Sequence, residues 1–252
     1  MLDVIAALTL SAVLVVFLIT LIGGASLRPA ARAYAYGIAV AWVCLMIGIT
    51  ASGGFAPGAI GRVPGPILGF GALMIGGLAA WFSWPAFRDT LLALPLSALI
   101  GINAFRIAGV FFLILFAQGR LSAPFAQSAA LGDIITGLVA IPLAAMTAAG
   151  TPPPRRLIAA WNAFGTLDLV AALMLAALSS PGTPFRLFTE GPGNVVMATL
   201  PWILIPTTLV PLAARPPDDR LAPARGARPT AARARDLRAA RLTRGSPRPG
   251  CR

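Results

Sequence analysis

Residues 3–24 read DVIAALTLSAVLVVFLITLIGG. After Asp3 the stretch contains no charged residue. As a helix rising about 1.5 Å per residue it reaches about 33 Å, enough to cross a hydrocarbon core about 30 Å thick. A cleaved leader is the competing reading. Only Met-Leu-Asp precedes the apolar run, with no basic residue. The run is also longer than the roughly 7–15 apolar residues of a leader. The stretch therefore reads as a membrane span.

The same criterion, applied outward along the chain, selects six more segments: 34–53, 66–84, 91–118, 127–148, 157–178 and 194–214. Composition agrees. Of the 252 residues, 58% are hydrophobic and 11% charged. Mean hydropathy is +0.83. A soluble domain of this length needs far more polar surface. The expected fold class is an all-α integral membrane protein with seven transmembrane helices. Residues 1–214 form the helical domain, and 215–252 an Arg/Pro-rich tail.

Missing residue types narrow the chemistry. All 20 basic residues are Arg, and there is no His. Without Lys no Schiff base can form on a lysine. Without His there is no imidazole metal ligand and no Ser-His or Cys-His couple. The two cysteines, Cys44 and Cys251, form no CxxC and sit in a span and at the chain end. No catalytic set, metal site or cofactor is expected.

Arginine placement orients the spans. The connections after the first, third and fifth spans, with the tail, carry 16 Arg. The other side carries Arg62, Arg120 and Arg186. The positive-inside rule then puts the N-terminus outside and the tail in the cytoplasm. The expected location is a bacterial inner (cytoplasmic) membrane. The tail bears 11 Arg against Asp218, Asp219 and Asp236. Its Pro- and Gly-rich composition predicts disorder, and its charge suits anionic lipid headgroups. Its plain alternative is a low-complexity extension that fixes topology. No folded module or interleaved aromatics favour specific nucleic-acid binding.

Three ionisable residues fall well inside spans: Arg106 in the fourth, Asp133 in the fifth and Asp168 in the sixth. Each would cost about 3 kcal/mol or more at the bilayer centre, so partners are required. At about 1.5 Å per residue, Arg106 lies about 3 Å and Asp133 about 6 Å outside the centre, with Asp168 near it. The three share one layer. Steps of three and four from Asp133 reach Ala126, Ala129, Ala130, Thr136, Gly137, Ala140 and Ala144, all small. From Asp168 they reach Phe164, Gly165, Ala171 and Ala172. Small stripes let helices approach closely. Arg106 is therefore expected to pair with Asp133, Asp168 or both. Asn103, one turn before Arg106, and Asn162, on a neighbouring face of the sixth span, are candidate members of the same set. Two carboxylates against one guanidinium leave a formal charge of −1. A protonatable carboxylate in a bundle suits a proton relay, and also a purely structural network.

The last span, LPWILIPTTLVP, carries Pro201, Pro206 and Pro211. Each removes a backbone donor and bends a helix. Thr207 and Thr208 could re-satisfy the freed carbonyls. Pro95 and Pro142 predict bends in the fourth and fifth spans. A broken helix beside a cavity is one reading; simple shape fitting is the other.

Together these residues resemble a family of uncharacterised bacterial multi-pass membrane proteins. The resemblance covers about residues 91–212. It rests on Arg106 with Gly109, Gly132–Asp133, Trp161–Asn162, Leu167–Asp168–Leu169 and the proline-rich last span. It implies a membrane location and brings no activity with it.

Three function classes compete. A small-solute transporter or permease fits the intramembrane Arg/Asp set and bent helices, although no internal repeat is visible and the chain is small. A homo-oligomer could supply missing cavity walls. A non-catalytic membrane subunit, sensor or assembly factor fits equally if the polar set only holds helices together. An intramembrane aspartyl protease is a remote third. Ala130 stands where its Gly-x-Gly-Asp motif needs the first Gly, the Gly-Asp aspartate comes first instead of second, and an ionised Arg would spoil a proton-sharing dyad.

Overall fold

The computed structural model describes residues 1–213. The expected tail, 215–252, lies outside the described residues. Six helices among them are long and apolar enough to cross a membrane: Leu2–Gly23, Pro29–Ala51, Gly65–Ser83, Leu96–Ala117, Phe125–Ala148 and Arg155–Ser179. The protein is an all-α, multi-pass integral membrane protein.

Helix α1 (Leu2–Leu18) ends in a π turn, Ile19–Gly23. Helices α2 (Pro29–Ala51) and α3 (Gly65–Ser83) each place a proline in the first turn, where its missing N–H costs nothing. A short helix α4 (Pro85–Leu92) follows. The next span starts only at Leu96, with Pro95 as its N-cap. Residues 91–94, expected inside this span, instead end α4 and turn. Pro95 begins the helix where a bend was expected, because its fixed φ suits a helix start and its ring opposes a helical residue before it. This span is not uniform. It runs as α5 (Leu96–Gly101), a 3₁₀ stretch (Ile102–Gly109) and α6 (Val110–Ala117). Helices α7 (Phe125–Ala148, with Pro142 inside it) and α8 (Arg155–Ser179) are continuous.

The expected seventh span, 194–214, takes a different form. It is a chain of short pieces: a 3₁₀ turn (Val195–Ala198), turns through Pro201–Ile203, a π turn (Ile205–Leu209) and α9 (Val210–Ala213). Three prolines in eleven residues withhold the donors that a regular helix needs. Such backbone cannot face lipid, because its unpaired carbonyls would find no partner there. It is accordingly enclosed by protein: Trp202, Ile203 and Leu209 are fully buried. They belong to cores built with Ala6, Leu10 and Phe17 of α1, Leu115 of α6, Ala126 of α7 and Met46 of α2. The carbonyl of Thr207, which would face the missing N–H of Pro211, accepts the indole N–H of Trp42 at 3.1 Å.

One end of the bundle is tied together by its loops. Asp3 accepts from Trp202 Nε1 (2.9 Å) and pairs with Arg120 NH1 (3.0 Å). Ser122 and Gly193 exchange hydrogen bonds, N–H to carbonyl at 3.0 Å and N–H to Oγ at 2.9 Å. Gly182 lies against Pro57. The N-terminus and the loops 52–64, 118–124 and 180–194 thus share one end, the alternation that successive membrane crossings require.

Candidate functional site

The 3₁₀ stretch is where the site begins. With three residues per turn, positions three apart eclipse, so Asn103, Arg106 and Gly109 form one row. Helix α7 runs antiparallel to this row at close range. A methyl at Gly109 would stand 2.8 Å from Asp133 Cβ, and one at Gly137 would stand 2.7 Å from the backbone N of Ile107. Farther along, Gly101 faces Ala144. The predicted small stripe of α7 is the buried one: Ala126, Ala129, Ala130, Thr136, Gly137 and Ala140 are all buried. Glycines here remove side chains so that two backbones can meet.

Arg106 reaches into that contact and joins three helices. Its Nε donates to Asp133 Oδ1 at 2.6 Å, its NH2 to Asp168 Oδ2 at 2.5 Å and its NH1 to the Gly165 carbonyl at 3.1 Å. Arg106, Asp133 and Asp168 therefore form one buried polar cluster, as their expected shared depth requires. The Arg106 side chain is 10% exposed, that of Asp168 8% and that of Asp133 21%. Gly132 and Gly165 make room on the α8 side. A methyl at Gly132 would overlap the Asp168 carboxylate, and one at Gly165 would stand 3.0 Å from Arg106 NH1. The carboxylates hold different nitrogens of one guanidinium, so each is oriented by charge-assisted bonds.

The two asparagines stand apart from this cluster. Asn103 spends its Nδ2 donor on the Leu99 carbonyl one turn back, at 3.2 Å. Asn162 is exposed on α8, and its carbonyl accepts from Thr166 Oγ1. Of the three prolines, Pro201 and Pro211 are buried and Pro206 lines a cleft.

That cleft is the second component of the site. It is a partly open gap whose interior holds about 100 Å³. Arg106 and Asp133 lie at its floor. Leu169, Ala172, Leu173, Ala176 and Ser180 form one wall, a single stripe of α8. From Asp168 to Ser180 this stripe climbs about 18 Å. Gly65, Pro66, Ile67 and Phe70 of α3 stand on another side, and Met197, Ala198, Ile205, Pro206 and Val210 of the broken segment close the back. At the far end lie Pro57, Pro181 and Asn194, residues of the loop-tied end. Asn194 Nδ2 donates to Ala176 O (2.8 Å), and Ser180 Oγ bonds both Ala176 O (2.7 Å) and Asn194 Oδ1 (3.1 Å). The cleft is the gap between two packed pairs, α7 with α8 and α3 with the broken segment.

In the sequence Trp161 stands out through the family resemblance, with no contact assigned to it, and the cleft-lining phenylalanines do not stand out at all. Trp161 Nε1 donates to the Thr136 carbonyl at 3.0 Å, fastening α8 to α7 beside the cluster. Trp161 lies seven residues before Asp168, hence on the same helix face, which is the signal that finds it. The cleft-lining phenylalanines carry no local signal, because a span of this kind is apolar on every side.

A bundle of apolar helices around a buried Arg–Asp–Asp cluster, set at the floor of a cleft, defines the class: a multi-pass membrane protein with an intramembrane ionic site. The chain belongs to the family described as Domain of unknown function (DUF8737), whose sequence model matches residues 64–214. The match takes in α3 to α9 and so every residue of the ionic cluster. No curated protein and no solved structure matches the chain significantly.

Proposed function

We propose that this protein is a small-solute transporter or permease whose cleft leads solute to the Arg106/Asp133/Asp168 cluster. The observation that carries this reading is the cleft itself. A set of ions serving only to hold helices together gains from complete enclosure, whereas here the Asp133 side chain is 21% exposed and lines a partly open cleft. The broken segment behind the cleft adds irregular backbone at membrane depth, which proteins tolerate where it is enclosed or lines a cavity. With Arg62, Arg120 and Arg186 at the loop-tied end, where the proposed mouth lies, and Arg28, Arg32, Arg88, Arg155 and Arg156 at the other, the positive-inside rule orients the mouth outward in a bacterial inner membrane. The N-terminus then lies outside. The 194–213 segment supplies a seventh crossing in that scheme, and the Arg-rich tail meets anionic headgroups on the cytoplasmic side.

A second reading, a non-catalytic membrane subunit or sensor, is favoured by the way Arg106 ties three helices together. An aspartyl protease gains no support, since each carboxylate is committed to its own Arg106 nitrogen. A single cysteine at Leu173, on the cleft wall, separates the readings when Cys44 and Cys251 are replaced by Ser. Transport requires an impermeant maleimide to label it from either face of sided vesicles, in fractions that shift on Asp133→Asn. Labelling from the mouth side alone, unchanged by Asp133→Asn, rejects transport in favour of the second reading.

A further inference from the structure

The cluster and the cleft together constrain what can bind. Among the described residues Arg106 is the one cation that lines the cleft, and three of its nitrogens are already engaged by two carboxylates and a carbonyl. The local formal charge is −1. Among the three side chains Asp133 is the most exposed, and it lines the cleft. Its Oδ1 accepts from Arg106, and no hydrogen bond reaches its Oδ2 from the described residues. The open valence at the floor is therefore an acceptor with negative charge. An anion placed there would meet the carboxylate of Asp133 and the excess negative charge of the pair.

The walls set the second requirement. Phe55, Phe70, Phe112 and Phe125 all line the cleft, and the α8 stripe opposite is aliphatic until Ser180. Phe112 and Phe125 lie with ring centroids 6.0 Å apart. Aromatic faces attract cations, and more strongly where water is excluded. We infer that the cleft binds a lipophilic monovalent organic cation, its charge against Asp133 and its apolar body between the phenylalanine rings and the α8 stripe. This rests on the transport reading for its consequence, and on the cleft alone for binding.

Tetraphenylphosphonium and tetraphenylborate test the inference, since they match in shape and apolarity and differ in the sign of charge. Binding of each to the purified full-length protein in one neutral detergent is measured by equilibrium dialysis. Leu173→Trp, which fills the cleft and leaves the cluster intact, gives the micelle background. Wild-type protein is expected to bind the cation about tenfold or more tighter than the anion, since a desolvated charge pair is worth at least that factor. Asp133→Asn should abolish the preference, and Leu173→Trp should abolish specific binding of the cation. Equal binding of both ions by the wild type, or a cation signal unchanged in Leu173→Trp, overturns the proposal. The wild-type comparison needs no variant to fold. If the Leu173 cysteine is labelled from both faces while the two ions bind alike, transport stands and the cation class falls. If the cation binds selectively while labelling stays one-sided, the ligand class stands and transport falls.

Discussion

Replacing Arg106 by Met probes what the cluster does for the fold. The change keeps an unbranched, apolar side chain of similar reach and removes the positive charge. Two carboxylates, with side chains 21% and 8% exposed, would then face each other without a counter-ion. Breaking a buried pair by removing one partner costs about 3–5 kcal/mol, because the orphaned charge stays desolvated. On soluble proteins of comparable length each kcal/mol lowers the melting temperature by about 2–4 °C, so a fall of about 6–20 °C is expected. The cost should come from the unpaired charges and not from lost packing. The triple variant Arg106→Met/Asp133→Asn/Asp168→Asn should therefore recover most of the loss, as neutral replacements of buried ion sets often do. Thermal unfolding of the three proteins in one detergent, followed by tryptophan fluorescence, measures both effects. A melting temperature unchanged in Arg106→Met would refute the pairing argument. A triple variant no more stable than the single one would refute the charge argument.

The glycine contacts predict a sharp contrast. Gly137→Ala puts a methyl against the Ile107 backbone and should lower stability by about 1–3 kcal/mol in the same melts, as overpacking does. Gly71→Ala and Gly76→Ala, whose methyl groups meet nothing within 4 Å, should be neutral or slightly stabilising. At the loop-tied end, Asp3→Ala strands the N–H of the fully buried Trp202, at a cost of about 1–3 kcal/mol. Arg120→Ala breaks only an ion pair whose side chains are 36% and 48% exposed, so a loss of about 1 kcal/mol at most is expected. Equal effects of the two would show that the ion pair, and not the indole bond, holds that end.

Much of the ionic cluster is legible in the sequence, and for one reason. A charge in hydrocarbon is so costly that it must find a partner, and three charges at one depth leave few pairings. The small residues around Asp133 marked the contact face, because close approach of two helices needs missing side chains. Asn103 and Asn162 were harder to read. An amide can satisfy itself on its own helix, as Asn103 does on Leu99, so depth alone does not recruit it. Pro95 was misplaced for a related reason: a proline is compatible with either a helix start or a kink, and only the chain direction before it decides.

By itself the sequence determined the membrane environment, the approximate spans and the identity of the three ions, since each follows from transfer energies that hold wherever the helices sit. The tertiary structure alone decided the rest. It wound residues 102–109 into a 3₁₀ stretch that aims Arg106 between α7 and α8. It enclosed the proline-rich segment, because interrupted backbone cannot face lipid. And it left a gap between two packed helix pairs that no local pattern encodes, turning Asp133 from a buried acid into the floor of a cleft.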